Sequence, residues 1–152
     1  MIRVELEFEL VEQFAAFQGQ LARGIKQAVT NAVEEGADEA RKVHRYVDRS
    51  GDLTRSIDGH LESFDHLGAV GILQAKAKYA SFVENGTKPH RIVVRRKKAL
   101  HWEDGGVHYF AKSVNHPGTA PRPFMGPAYL KAERVLERDI EVAVANAERE
   151  LT

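Results

Sequence analysis

His60 and His66, six residues apart with Glu62 and Asp65 between them, are the pair whose types most suggest a bound metal. Neither an H-x-x-x-H nor an H-E-x-x-H spacing occurs. The other histidines, at 44, 90, 101, 108 and 116, are scattered, and cysteine is absent. A structural zinc would have to collect imidazoles and carboxylates from distant segments, so these read as surface or structural histidines, with no cofactor expected. Acyl transfer needs a nucleophile activated by a base and oriented by a third group. Ser50, Ser56, Ser63, Ser81 and Ser113 are available, but none has a G-x-S-x-G context. Glu84, in FVENGT, is a carboxylate beside a glycine turn; it could act as a general base, cap nearby amides or pair with an arginine. The glycines follow neither P-loop nor dinucleotide-fingerprint order. No catalytic constellation emerges, and no enzyme is expected.

The strongest local charge feature is KPHRIVVRRKK, residues 88–98. Lys88, Arg91, Arg95, Arg96, Lys97 and Lys98 surround the apolar centre Ile92–Val94, and are the candidates to face DNA. Phosphate contact needs only cations on one accessible face and reads no sequence. The whole chain of 152 residues, however, carries 22 Lys and Arg against 22 Asp and Glu, so no global field favours nucleic acid or an acidic membrane. Aromatic residues are not interleaved with the cations as a stacking platform would require. The segment therefore reads first as a solvated strand or loop whose arginines meet acidic surface, with DNA contact weak and transient. No apolar run is long enough to cross a bilayer, and MIRVELEFEL alternates charge with hydrophobe, unlike a signal peptide.

The elements that must position these residues follow from periodicity. Ile2, Val4, Leu6, Phe8 and Leu10 alternate with charges, predicting a strand with one buried face. From about Glu12, apolar residues recur every three or four positions, from Phe14 to Val47, predicting a helix that runs to about Asp48. A helix of some 35 residues would span roughly 50 Å, so either it breaks near Gly19 and Gly24 or part of it packs against something beyond its own core. RSGDLTRSIDG then forms a turn, with Ser50 or Asp52 as cap. A strand pair is predicted over Ser56–His66 and Gly68–Ala75, then a helix from Tyr79 to Asn85 closed by Gly86, although Asn85 and Gly86 could equally form a tight turn. A hairpin, or a loop between two short sheet segments, follows with Asp104, Gly105 and Gly106 at its tip. Pro127 to about Arg149 has helical spacing, with Pro127 suited to the first helical position. This order describes an α+β fold: a mostly antiparallel sheet packed by a long N-terminal helix and a C-terminal helix. Length favours one domain over residues 1–152.

HPGTAPRPFMGPAYL, residues 116–130, denies itself a helix interior and a central strand through Pro117, Pro121, Pro123 and Pro127. It is expected to be extended or turn-like. Phe124 would anchor it in the core or an adjoining subunit, Arg122 would meet a carboxylate, and Gly118 would turn.

Three fragments in order, SGDLTRSI, YASFVENGT and HPGTAPRPFMGPAYL, resemble the tail-component family of long-tailed bacteriophages, the proteins that complete the tail or join it to the head. The first motif is matched at Gly51, Leu53 and Ser56, with Ser50 where threonine is more usual. The second is matched at Tyr79, Glu84, Gly86 and Thr87, with Asn85 replacing an aromatic residue. In the third, His116, Pro117, Gly118, Thr119, Pro123, Phe124, Pro127 and Ala128 all fit, and KALHW at 98–102 is similar to the stretch before the family's hairpin. The resemblance covers about Ala40 to Val144. It implies a structural virion protein, free or in a prophage, that forms a homo-oligomeric, hexameric ring in the neck or tail after assembly in the host cytoplasm. It further implies head-tail connector and tail-tube or terminator proteins as neighbours, genomic DNA only in passage, and no membrane. A tail terminator or head-closure subunit, and a non-specific nucleic-acid-binding protein, are the alternatives. A closed ring needs one face of a subunit to meet a different face of the next, and a proline-stiffened strap, here Pro117, Thr119, Pro121, Arg122, Pro123, Phe124 and Pro127, supplies such contacts at low ordering cost.

Overall fold

The structure, a computed structural model, describes residues 9–42, 46, 48–65, 68–95 and 98–151. Helix α1 spans Glu9–Lys42 without a break at Gly19 or Gly24. The predicted strand at residues 2–10 lies largely outside the described residues, and Glu9 and Leu10 belong to the helix. The helix does not reach Asp48: Tyr46 lies outside it and is buried. Its buried stripe, Ala28, Ala32, Val33, Ala37 and Ala40, recurs at helical spacing and consists mostly of alanine.

Small residues decide how α1 meets α4, Met125–Glu148. Ala128, Val135, Ala143 and Ala147 are the buried residues of α4. Gly24 lies against Ala143 while Gly36 lies against Ala128 and Ala132, so the two helices run antiparallel. At Gly24 a β-carbon would collide with that of Ala143 and stand 3.1 Å from its α-carbon, so the missing side chain is what permits the approach. Polar pairs line the edge of this seam: Asn31 donates to Asp139 at 2.8 Å, and Lys131 meets Glu35 at 3.0 Å. The Lys131 hydrogen bond and charge hold the Glu35 carboxyl below the ordinary carboxylate value. Lys131 and Glu35 are both well exposed, so that pair contributes register more than stability.

The other side of α1 carries the ribbon of β1, Ile57–Asp65, and β2, Gly68–Ala75, paired antiparallel with an irregularity between Leu61 and Ser63. Gly59 of β1 has no room for a side chain because the Val33 carbonyl of α1 occupies it. Arg41 near the end of α1 donates to the Ile57 carbonyl at 2.8 Å. Before β1, the five-residue α2, Asp52–Ser56, stands where only a turn is predicted. It starts after Gly51 at φ 72°, and Asp48 accepts from the Thr54 amide at 2.9 Å and the Thr54 hydroxyl at 2.6 Å. Those bonds hold the Asp48 carboxyl below its usual range.

The sheet is not continuous; among the described residues it is three two-stranded antiparallel pairs. After α3, Ala80–Asn85, strands β3, His90–Val93, and β6, Ser113–His116, form one pair, and β4, Leu100–Asp104, and β5, Val107–Ala111, form another nested inside it. Together they make an arm, and between the two pairs the Val94 amide donates to the Lys112 carbonyl at 3.1 Å. The arm ends at Gly105 and Gly106, with φ 57° and 82°, the two positive values that a tight hairpin turn requires. Pro127 is the third residue of α4, not its first; the first-turn amides lack intrahelical partners in any case, so proline costs nothing there.

Candidate assembly interface

Residues 117–123 contain neither helix nor strand beyond a single bridge at Thr119, and they cross over α3. Thr87 and Thr119 exchange both backbone bonds, at 3.0 and 3.1 Å, and their hydroxyls lie 3.1 Å apart. Two residues on, the Arg122 amide donates to the Val83 carbonyl at 2.9 Å. Gly86, at φ 71°, and Gly118, at φ 87°, adopt backbone that side chains resist, and each lies directly against the other segment's carbonyl: Gly86 on Thr119, Gly118 on Thr87. The glycines are therefore what lets the two chains touch. His116 accepts the Gly118 amide at 3.0 Å, tightening the turn.

The segment ends in a capping arrangement that joins two distant parts of the chain. One oxygen of Glu84 accepts from the Phe124 amide at 2.7 Å and the Met125 amide at 2.9 Å; the other accepts from the Gly126 amide at 3.0 Å. These are orphan donors of the first turn of α4, and the carboxylate sits at the positive end of its dipole. Glu84 thus binds amides, as one of its sequence readings has it, but amides some 40 positions away. No side chain of the segment's own supplies the cap. Phe124 is fully buried, its ring edge-on to Tyr46 at 5.4 Å, in a cluster with Ala37, Ala40, Leu53, Ile57, Ala80 and Ala128. Burial pushes the Tyr46 phenol up, opposed by its hydrogen bond with Thr54.

Pro117, Thr119, Pro121, Arg122 and Pro123 are exposed on the outside of this crossing, and Pro127 is half-buried. Beside them lies an open groove of about 850 Å³ lined by Tyr46, Arg49, Tyr79, Phe82, His90 and Arg122, among others. Of the motif residues, Leu53 is buried, Ser56 donates its hydroxyl to the Leu53 carbonyl at 2.8 Å, and Tyr79 is 40% exposed at the groove. Lys88, Arg91, Arg95 and Lys98 are exposed along the base of the arm, while Arg96 and Lys97 lie outside the described residues. Arg91 is turned to the Ser113 hydroxyl at 2.9 Å.

Sequence reasoning passed over two features here. Arg49 is a groove residue that no motif singles out. Trp102, Tyr109 and Phe110 are exposed on the arm, although HWED and VHYF are periodic enough to show which side chains would pair across it. Four histidines pair, His101 with His108 at 3.0 Å and His90 with His116, rings 5.1 Å apart, while His60 meets Asp58 and His66, its partner in the sequence reading, lies outside the described residues. Among the described residues no three His, Asp or Glu gather as metal ligands would, and no helix is long and apolar enough to cross a membrane.

Comparison with protein families matches residues 8–86, just over half of the chain, to the family described as "Bacteriophage HK97-gp10, putative tail-component". No curated protein and no solved structure matches. The matched residues hold α1, the first ribbon, α3 and Glu84; the arm, the crossing segment and α4 lie beyond them. The chain belongs to the HK97-gp10-like family of bacteriophage tail components.

Proposed function

We propose that the chain is a structural, non-catalytic subunit that forms a ring at the head–tail junction and completes or joins the tail. The observation that carries the ring is the apolar surface left outside a core made largely of alanine. Phe82 is 60% exposed, Phe110 69% and Tyr129 64%, and Trp102, Tyr109, Leu130 and Val142 are also exposed. Surface of this kind marks places where another protein sits. A hexameric ring would cover it with neighbouring copies, with connector proteins on one side and tail-tube or terminator proteins on the other. The strap from Pro117 to Pro127 would present a stiff, preordered edge to such a neighbour. Lys88, Arg91, Arg95 and Lys98 would then lie near passing DNA without holding it.

Imaging of tails assembled with and without the protein tests this reading. Tails lacking it should fail to join heads, and tails containing it should show a ring of copies at the head-proximal end. A single copy contacting no other, or normal virions in its absence, would refute it. Density at the tail-tube end or on the connector would favour a tail terminator or head-closure subunit. The exposed cations support a second reading, non-specific nucleic-acid binding, which requires submicromolar duplex binding at physiological salt that is lost on replacing Arg95 and Arg96.

A further inference from the structure

His101 and Trp102 of the arm's outer pair line a cavity of about 480 Å³ with Ile92, Val114, His116 and Pro117. Strands β4 and β5 lie against each other and touch the rest of the fold only sparsely. Their register sets Trp102 opposite Tyr109, rings 5.4 Å apart, and His101 opposite Phe110, rings 4.7 Å apart, so both faces of the ribbon are aromatic. An isolated two-stranded ribbon is marginal in water and gains stability when a face is covered. Its tip is acidic, with Glu103 and Asp104 both exposed. The groove beside the strap is the complement: Tyr79 and Phe82 offer apolar surface, and Arg49 and Arg122 offer charge. Among the described residues, none of these two carboxylates and two guanidinium groups has an ion-pair partner in its own chain.

We propose that the aromatic, acid-tipped hairpin of one copy seats in the Arg49 and Arg122 groove of the next copy. The five residues of each strand reach roughly 17 Å at about 3.4 Å per residue, enough to leave one subunit and enter another. Hairpin and groove are different surfaces, so the contact is heterologous and propagates from copy to copy until a rotation closes it. Two hairpins facing each other would oppose like charges at their tips, whereas hairpin in groove pairs four otherwise unpaired charges. The inference rests on the ring reading and names the two faces that make it.

The absence of cysteine makes the test direct. The full-length chain carrying Asp104→Cys together with Arg122→Cys is assembled into tails, oxidised mildly and run on a denaturing gel without reductant. The expected result is a ladder of covalent multimers beyond the dimer that collapses on reduction, while each single variant gives nothing larger than a dimer. In parallel, the wild-type chain in tails is treated with an amine-reactive cross-linker. Multimers there without a ladder from the cysteine pair refute the hairpin–groove contact and leave the ring standing. No multimers in either experiment removes both. A dimer formed efficiently by Asp104→Cys alone means hairpins meet hairpins, which also overturns the proposal. Independently, Asp104→Arg and Arg122→Asp should each lower incorporation into tails about tenfold, as loss of a close interfacial charge pair does, and the combined variant should recover most of it. Failure of the combined variant to recover, with each single variant folded by circular dichroism, counts against the pairing.

Discussion

Replacing Glu84 with alanine separates a capping role from a catalytic one. Its carboxylate satisfies three amides at the start of α4, those of Phe124, Met125 and Gly126, two of them partly buried. Loss of an N-terminal cap costs about 0.5–2 kcal/mol, and loss of a favourable charge at the helix dipole about 0.3–1 kcal/mol. Two partly buried donors left without acceptors put this site at the upper end, so Glu84→Ala should destabilise by about 2–3 kcal/mol. For a chain of this size that corresponds to a melting temperature lower by roughly 4–12 °C. Glu84→Gln keeps one acceptor oxygen, which can serve Phe124 and Met125 together, but turns its NH2 toward the Gly126 amide; about half the loss is expected. Urea unfolding followed by far-ultraviolet circular dichroism, with unchanged slope, measures both. An alanine variant within about 0.5 kcal/mol of wild type, or a glutamine variant worse than alanine, would show that these bonds do not hold the crossing segment to α3.

Phe124→Ala should cost about 3–5 kcal/mol because the ring is fully buried; His116→Ala, which removes one acceptor for the Gly118 amide, should cost about 1 kcal/mol or less, and the two denaturant midpoints decide it. Glycines of α1 should respond with opposite signs. Gly24→Ala gains about 1 kcal/mol of helix propensity but forces a β-carbon into Ala143, a strain of about 1–3 kcal/mol, so it should destabilise, whereas Gly19→Ala meets only the flexible end of Arg23 and should raise the melting temperature. Acid should destabilise the fold. The carboxyls of Asp48, Asp52, Asp58 and Asp139 are lowered in the folded protein by hydrogen bonds from Thr54, Ser50, Lys76 and Arg138 respectively. Their contribution is complete above the unfolded value near pH 4 and is lost as pH falls through the lower folded values; stability that rose on acidification below about pH 4 would contradict this.

Local patterns carried much of the architecture. The stripe of α1, the ribbon of β1 and β2, the end of α3 at Gly86 and the Asp104–Gly106 turn are legible because each depends on side-chain period or turn chemistry within a few residues. Motif order carried the family in the same way, since SGDLTRSI and all of YASFVENGT but Thr87 lie within the matched residues. Other features were settled only by tertiary structure. Tyr46, inside the stretch read as helix, instead packs edge-on against Phe124, and α2 is too short for a period to reveal it and leans on the side chain of Asp48. The pairing of β3 with β6 skips the whole inner hairpin, and Glu84 finds its amides across about 40 residues. In each case the residues are visible in the chain but their partners are not. A periodic pattern names the face that must be buried, whereas only the closed fold says which backbone donor, which glycine gap and which ring arrives to meet it.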